Sequence, residues 1–272
     1  MIRNTVHAGT FYPRFAHQLL AMFEKWQEDV LPVIPSERNI GLLVPHAGFM
    51  YSGRLAYLGM ASVAYESFDS IIILHPSHQG IHFDYSVSPY SIYETPLGNL
   101  ELDEDLYRLF SPHASQDIAL DYHALEHSLE IQLPLLYHFF PHARICPILL
   151  GNQNPVVSER IAEALYEVVY KSSKRILILA SSDLSHYHAA SKAEAMDKKV
   201  LEHFQKLDAE ALYRDASFGK LEACGLGTIL SLVYYSQKYS SVQSRIIEYT
   251  HSGTISGHNS QVVGYLAAKI YV

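Results

Sequence analysis

Four short stretches place chemically capable side chains where the chain must change direction. His46 directly follows the apolar run Ile40 to Pro45 (IGLLVP), and His78 closes Ser70 to His78 (SIIILHPSH); Gly48 and Gly80 trail them. Neutral imidazole is the commonest protein ligand for borderline metals. The pair therefore reads either as metal ligands or as polar caps at strand ends. Asp183 and His186 stand in SSDLSH, just past Arg175 to Ala180 (RILILA). A D-x-x-H spacing on a turn brings both side chains to one face. There the carboxylate either orients an imidazole that acts as general base or second-shell partner, or simply caps the next helix. Ser181 and Ser182 are weak nucleophile candidates, because nothing like G-x-S-x-G surrounds them. Cys224, flanked by Gly225 and Gly227 ahead of a helical pattern, is either a thiol of lowered pKa that ligates metal or attacks, or a small buried hydrophobe; Glu222 nearby is a competing carboxylate ligand. Glu126, His127 and Glu130 fall on an expected helix, with the two glutamates sharing a face at i, i+4. Like charges at that spacing need a metal, a histidine, a cationic substrate or plain solvent around them. H-E-x-x-H is absent.

The elements that must position these groups are legible as apolar runs. Ser70 to Leu74 is too short for a core helix and rich in β-branched residues, so it reads as a strand covered on both faces. Pro76 cannot donate to a sheet ladder, which leaves His75, Ser77 and His78 at the strand's end, where open α/β sheets bind ligands. Strands are also expected at 40–45, 144–150 and 175–180, with helices near 16–28, 55–65, 103–110, 157–170, 190–207, 209–216 and 225–239. A proline-marked loop covers Leu31 to Glu37, a hairpin turns near Pro96 to Asn99, and His123 to Phe140 follows helical spacing with Pro134 bending or interrupting it. Two closing strands, 245–250 and 261–270, add an antiparallel portion. Strands alternating with helices give an α/β fold: a three-layer α/β/α sandwich around a mixed, largely parallel sheet, formed as one domain over 1–272.

Composition excludes several classes. The chain of 272 residues carries a formal net charge of −8 with scattered charges, which leaves no basic footprint for nucleic acid. No stretch approaches the roughly 20 apolar residues of a membrane span, and the N-terminus has no apolar signal core, so a cytoplasmic protein with no membrane role is expected. Cys146, within an apolar strand, and Cys224 are the only cysteines and make no disulfide framework. The 16 histidines are the outlier; His113, His138, His142 and His203 read as ordinary surface residues.

Taken in order, AGTFYP (8–13), VPHAGFMYSG (44–53), HPSHQG (75–80), EHSLEIQLPLL (126–136), SSDLSHY (181–187), ACGLG (223–227) and SQVVGY (260–265) span nearly the whole chain. In these motifs the sequence resembles the Memo family, whose bacterial and archaeal members are called AmmeMemoRadiSam system protein B. The resemblance implies one Memo-like domain with the fold of class III extradiol (LigB-like) dioxygenases and a mononuclear metal pocket. It implies His46 and His78 as metal ligands, Cys224 where the dioxygenases have a glutamate, and Asp183 with His186 as the catalytic pocket pair. Tyr51, Glu126, Glu130 and Tyr187 join the expected pocket. His75 stands where the family usually has glycine, and so adds an imidazole that reaches or crowds the site. The resemblance implies one transition-metal ion as cofactor, Fe(II) or Cu first with Zn as the further choice; thiolate, being softer than carboxylate, by itself favours Cu(I), Zn(II) or a redox role. The function implied is redox or oxygen chemistry on an unknown substrate. The alternatives are a non-catalytic module that binds a small molecule or peptide in the same pocket, and a Zn-dependent hydrolase. A functional link to radical-SAM and AMMECR-type proteins is also implied.

Overall fold

The architecture, taken from a computed structural model describing residues 1–32, 37–115 and 118–272, is built on strands whose alternate residues part to opposite sides. Residues 33–36 of the proline-marked loop lie outside the described residues. The strands are β1 (Ile2–Arg3), β2 (Asn39–Val44), β3 (Ser70–Pro76), β4 (Tyr85–Val87), β5 (Ile92–Thr95), β6 (Gly98–Glu101), β7 (Arg144–Leu150), β8 (Ile176–Ser181), β9 (His186–His188), β10 (Gln243–His251) and β11 (Val262–Tyr271). The main sheet runs β10-β11-β2-β8-β3-β7-β4, with β9 paired to β11; β1-β5-β6 form a small second sheet. The central four, β2, β8, β3 and β7, are parallel, and antiparallel strands flank them on both sides. The closing strands do supply the antiparallel portion, and β5 and β6 make the hairpin.

Period-two alternation explains the layers. Leu42, Val44, Ile71, Ile73, Leu177 and Leu179 face one core, while Leu43, Ile72, Leu74, Ile178 and Ala180 face the other. Against the first face pack α1 (Ala16–Gln27), α2 (Arg54–Ala61), reached through a π-helical turn at Phe49–Gly53, and, beyond α3 (Glu104–Phe110), α4 (Leu120–Ala124) and α5 (His127–Glu130), also α6 (Leu133–Phe139). The second face is covered by α7 (Pro155–Lys171), α8 (Ala190–Gln205), α9 (Ala209–Ser217) and α10 (Leu226–Ser236); α11 (Ser252–Ser256) follows β10. Each fully buried isoleucine contributes on the order of 2 kcal/mol, so the register of these strands is strongly specified. Asp103 caps α3, accepting from the amides of Asp105 and Leu106 (both 3.1 Å). Among the described residues no helix is long and apolar enough to cross a membrane.

One expected helix is corrected. His123 to Phe140 is three short helices, and Pro134 lies in the first turn of the last instead of bending a continuous one. The cause is far away in sequence. Buried Arg3 donates to the carbonyls of His123 (3.0 Å), Ala124 (2.9 Å) and Glu126 (2.9 Å), which a continuing helix would need for itself. It also pairs with Glu130 at 2.8 Å. Glu126 and Glu130 consequently share no helix face: Glu126 caps α5, whereas Glu130 accepts from Val6, His7 and Tyr12 as well as Arg3.

Candidate metal centre

Parallel register brings the strand ends to one edge. Val44 is level with Ser181 and Leu74 with Ala180, so His46 and His78 emerge on either side of the β8 end that carries Ser181 to Asp183. Their ring centroids are 5.4 Å apart, and His127 stands 4.3 Å from His78 and 5.4 Å from His46. Cys224, just before α10, reaches over the same edge, its thiol 3.1 Å from His46 Nε2. One donor atom each from His46, His78 and Cys224 lies within 4.8 Å of the other two.

Hydrogen bonds fix which ring nitrogens are free. Ser181 gives its hydroxyl proton to the Ser128 carbonyl (2.9 Å), so its oxygen accepts from His46 Nδ1 (2.9 Å) and from Gln132 (3.0 Å). His46 thus carries its proton on Nδ1, and the Nε2 lone pair faces the sulfur. Burial, reinforced by the charge of His78, pushes His46 down to about 3, so the ring is neutral at physiological pH. Glu126 performs the matching task for His78, accepting from its ring Nδ1 and its main-chain N–H, both at 2.7 Å. Burial would raise this carboxyl, but the hydrogen bonds and charge of His78 hold it well below the usual carboxylate range. A histidine tied to a carboxylate through one nitrogen is the common arrangement of a ring that ligates through the other.

The thiol differs from the sequence-based expectation. Its position before a helix suggested a lowered pKa; burial instead pushes Cys224 up, with the nearby Asp183 carboxylate adding to the effect. The protonated sulfur accepts from the Asp183 amide (3.2 Å) and has His46 Nε2 as its acceptor. Asp183 itself is corrected in one respect. Its Oδ1 accepts from the amides of His46 (2.8 Å) and Ala47 (3.3 Å), so among the described residues it braces the His46 turn and forms no hydrogen bond to the His186 ring. Capping is excluded too, since β9 follows it and not a helix. His186 is half-buried, with its amide 3.3 Å from Glu222, and lies close enough for its charge to act on His46.

The remaining expected pocket residues scatter. His75 is fully buried in β3 with Nδ1 3.1 Å from the Ser128 hydroxyl, and its Nε2 has no hydrogen-bond partner among the described residues. Tyr51 and Tyr187 are exposed at 40% and 71%, and Tyr187 holds a left-handed φ of 59°. Glu130 belongs to the Arg3 network. Sequence reasoning named His127 only as a neighbour of the two glutamates and Ser181 only as a weak nucleophile candidate, and gave no role to Ser128 or Gln132. All three of Ser128, Gln132 and Ser181 act through ordinary hydroxyl and amide groups whose partners the sequence does not show.

The donor set fits a first-row transition metal. Bonds of about 2.0 Å to nitrogen and 2.3 Å to sulfur put the donors roughly 3 to 4 Å apart, the range of the His46–Cys224 separation. His78, Glu126 and His127 form a second convergent group. That one is already closed, because His78 and the Ser128 amide (3.1 Å) occupy the carboxylate.

Fold and site together define an α/β protein with two histidines and one cysteine converging at the carboxyl edge of its sheet. The chain belongs to the Memo-like protein family, whose model matches residues 3–269. It is 34% identical to a MEMO1 family protein of Desulfurococcus amylolyticus over 99% of each chain, and 37% identical to one of Saccharolobus solfataricus, again over 99% of each. A Methanobrevibacter smithii member is 35% identical over 97% of this chain and 98% of its own. Among solved structures, an uncharacterised Escherichia coli K12 protein aligns with a TM-score of 0.49 at 10% identity, covering 84% of this chain and 99% of that one.

Proposed function

We propose that this is a metal-dependent redox protein in which His46, His78 and Cys224 hold one Fe or Cu ion. The observation that carries the reading is the preset donor geometry: three atoms within 4.8 Å, from residues otherwise remote in sequence, with the His46 and His78 rings both held through Nδ1. Two imidazoles and a thiolate are softer than a two-histidine, one-carboxylate face, which favours Cu, with Fe or Zn accommodated by geometry. A bound ion would supply electron transfer or oxygen activation. The chain's own groups do the rest. Ser181 and Glu126 keep both Nε2 atoms available, Asp183 braces the His46 turn, and His186 holds or moves protons at the mouth. The substrate is a small molecule or peptide, and a link with radical-SAM and AMMECR-type proteins is part of this proposal.

The test is metal content. Protein purified under reducing, metal-replete conditions should carry about one ion per chain, as a folded site of this kind demands. The His46→Ala/His78→Ala double variant should carry almost none, and unchanged content would overturn the reading. Anomalous scattering at the Fe, Cu and Zn edges identifies the element. A Zn ion with no dependence on O₂ would favour hydrolysis instead.

A further inference from the structure

We infer that Gln153, through the Cys224 carbonyl, helps position the Cys224 thiol at the carboxyl edge of the sheet, an assignment that rests on the metal-binding reading above. Gln153 follows β7, two strands from β8, and its carboxamide makes two hydrogen bonds to the cysteine loop. Its Nε2 donates to the Cys224 carbonyl and its Oε1 accepts from the Gly227 amide, both at 2.8 Å. An amide flip would set oxygen against oxygen and N–H against N–H, so the orientation is fixed.

Two further hydrogen bonds tie the loop on the β8 side. The Cys224 amide donates to the Asp183 carbonyl (3.2 Å), and the Gly225 amide donates to Ser182 Oγ (2.9 Å). The sheet order places β3, the strand that delivers His78, between β8 and β7. Gln153 therefore ties the loop on the far side of the His78 strand from its β8 hydrogen bonds. The approach is close. A Cβ on Gly227 would sit 2.9 Å from Gln153 Cα and Cβ, and one on Gly225 would sit 2.5 Å from the Ser181 carbonyl, so glycines at both positions let the loop lie flat on the strand ends. Ser158 Oγ holds the Gly227 carbonyl at 3.2 Å, which steadies the start of α10 but touches nothing at Cys224 itself. Losing the carboxamide leaves α10 docked and frees the cysteine carbonyl.

Co²⁺ is the probe, because thiolate bound to it gives a near-ultraviolet charge-transfer band that nitrogen donors do not. The full chain should show that band, and Cys224→Ser should abolish it. Gln153→Leu should bind Co²⁺ more weakly by on the order of tenfold, as loss of an outer partner does, and should show a weaker band per bound ion at saturation. Gln153→Glu, which keeps the acceptor for Gly227 and loses the donor, should fall between the two and serves as the readout if the leucine variant does not fold. A purely structural role would lower the melting temperature and leave the band of the bound state intact. Wild-type affinity and band intensity in the Gln153 variants would overturn the inference while leaving the metal site standing. Wild-type protein that binds Co²⁺ without the band would overturn cysteine ligation, and the inference with it.

Discussion

The two ends of the central sheet handle buried polarity in opposite ways. At the amino edge, among the described residues, the buried carboxylates and the buried lysine meet opposite charges. Lys174 bonds both oxygens of Asp103 (2.9 and 2.7 Å), which also takes the Ser70 hydroxyl; Arg175 meets Glu66, and fully buried Lys269 meets Glu37 at 2.7 Å. At the carboxyl edge the rings of His46 and His127 are neutral, burial having pushed them down to about 3 and about 4. Six buried side-chain polar atoms lack a partner among the described residues. Five of them, on His75, His123, Gln132, Ser185 and His251, lie toward the carboxyl edge, against Asn39 alone at the other. Paired charges hold a fold together, whereas neutral rings and unpartnered polar atoms gather where the candidate site lies. The comparison separates structure from function more sharply than conserved-looking residue types do.

The largest effects come from removing one carboxylate at each edge. Glu126→Ala strands the His78 ring and two amides, and should lower metal affinity by roughly 10- to 100-fold with a stability loss of about 3 kcal/mol. Asp103→Ala should cost a similar about 2 to 3 kcal/mol, from the ion pair and the helix cap, and leave metal affinity unchanged. Urea unfolding and Co²⁺ titration of both variants check the contrast; equal effects on affinity would erase it.

Acid should separate the edges next. Burial would raise Asp103, yet the hydrogen bonds of Lys174 and Ser70 hold it below its usual value. Its contribution is therefore present above the unfolded carboxyl pKa near about 3.9 and lost as pH falls through the folded value. Asp103→Asn should flatten that part of the urea midpoint's fall between pH 6 and pH 3. Metal binding should move the other way. With His46 already neutral and the Cys224 thiol pushed up by burial, the ion displaces the thiol proton, and affinity should rise about tenfold per pH unit between pH 6 and 8. A flat titration would remove the thiolate from the ligand set.

Smaller changes refine the picture. Ser181→Ala deletes the acceptor that keeps the His46 proton on Nδ1, and should weaken metal binding by about tenfold with a stability loss near 1 kcal/mol. Tyr187→Gly relieves a left-handed backbone and should stabilise the protein by about 1 kcal/mol, visible as a higher melting temperature with metal affinity intact.

The apolar strands and their proline stops were legible because two-sided burial writes itself as unbroken Ile/Leu runs, and with them the neighbouring exits of His46 and His78. The break at Leu125 was hidden, since the guanidinium that takes the α4 carbonyls belongs to Arg3, 120 residues earlier. Of the two alternatives for Cys224, the lowered pKa fails for a related reason. Helix position is local and readable, whereas the enclosure by Asp183 and His46 that dominates it is assembled from three remote segments. Gln153 and Ser181 act through groups that every protein surface carries.

His46 and Cys224 are separated by 178 positions along the chain. During synthesis the two imidazoles leave the ribosome long before the sulfur does, and β8, which stands between them, also comes late. An N-terminal fragment can hold no more than loose histidines, so the complete coordination shell becomes available only after most of the polypeptide has been made and folded. Any ion held by these three donors would therefore enter after translation, under the control of whatever delivers it to the finished protein.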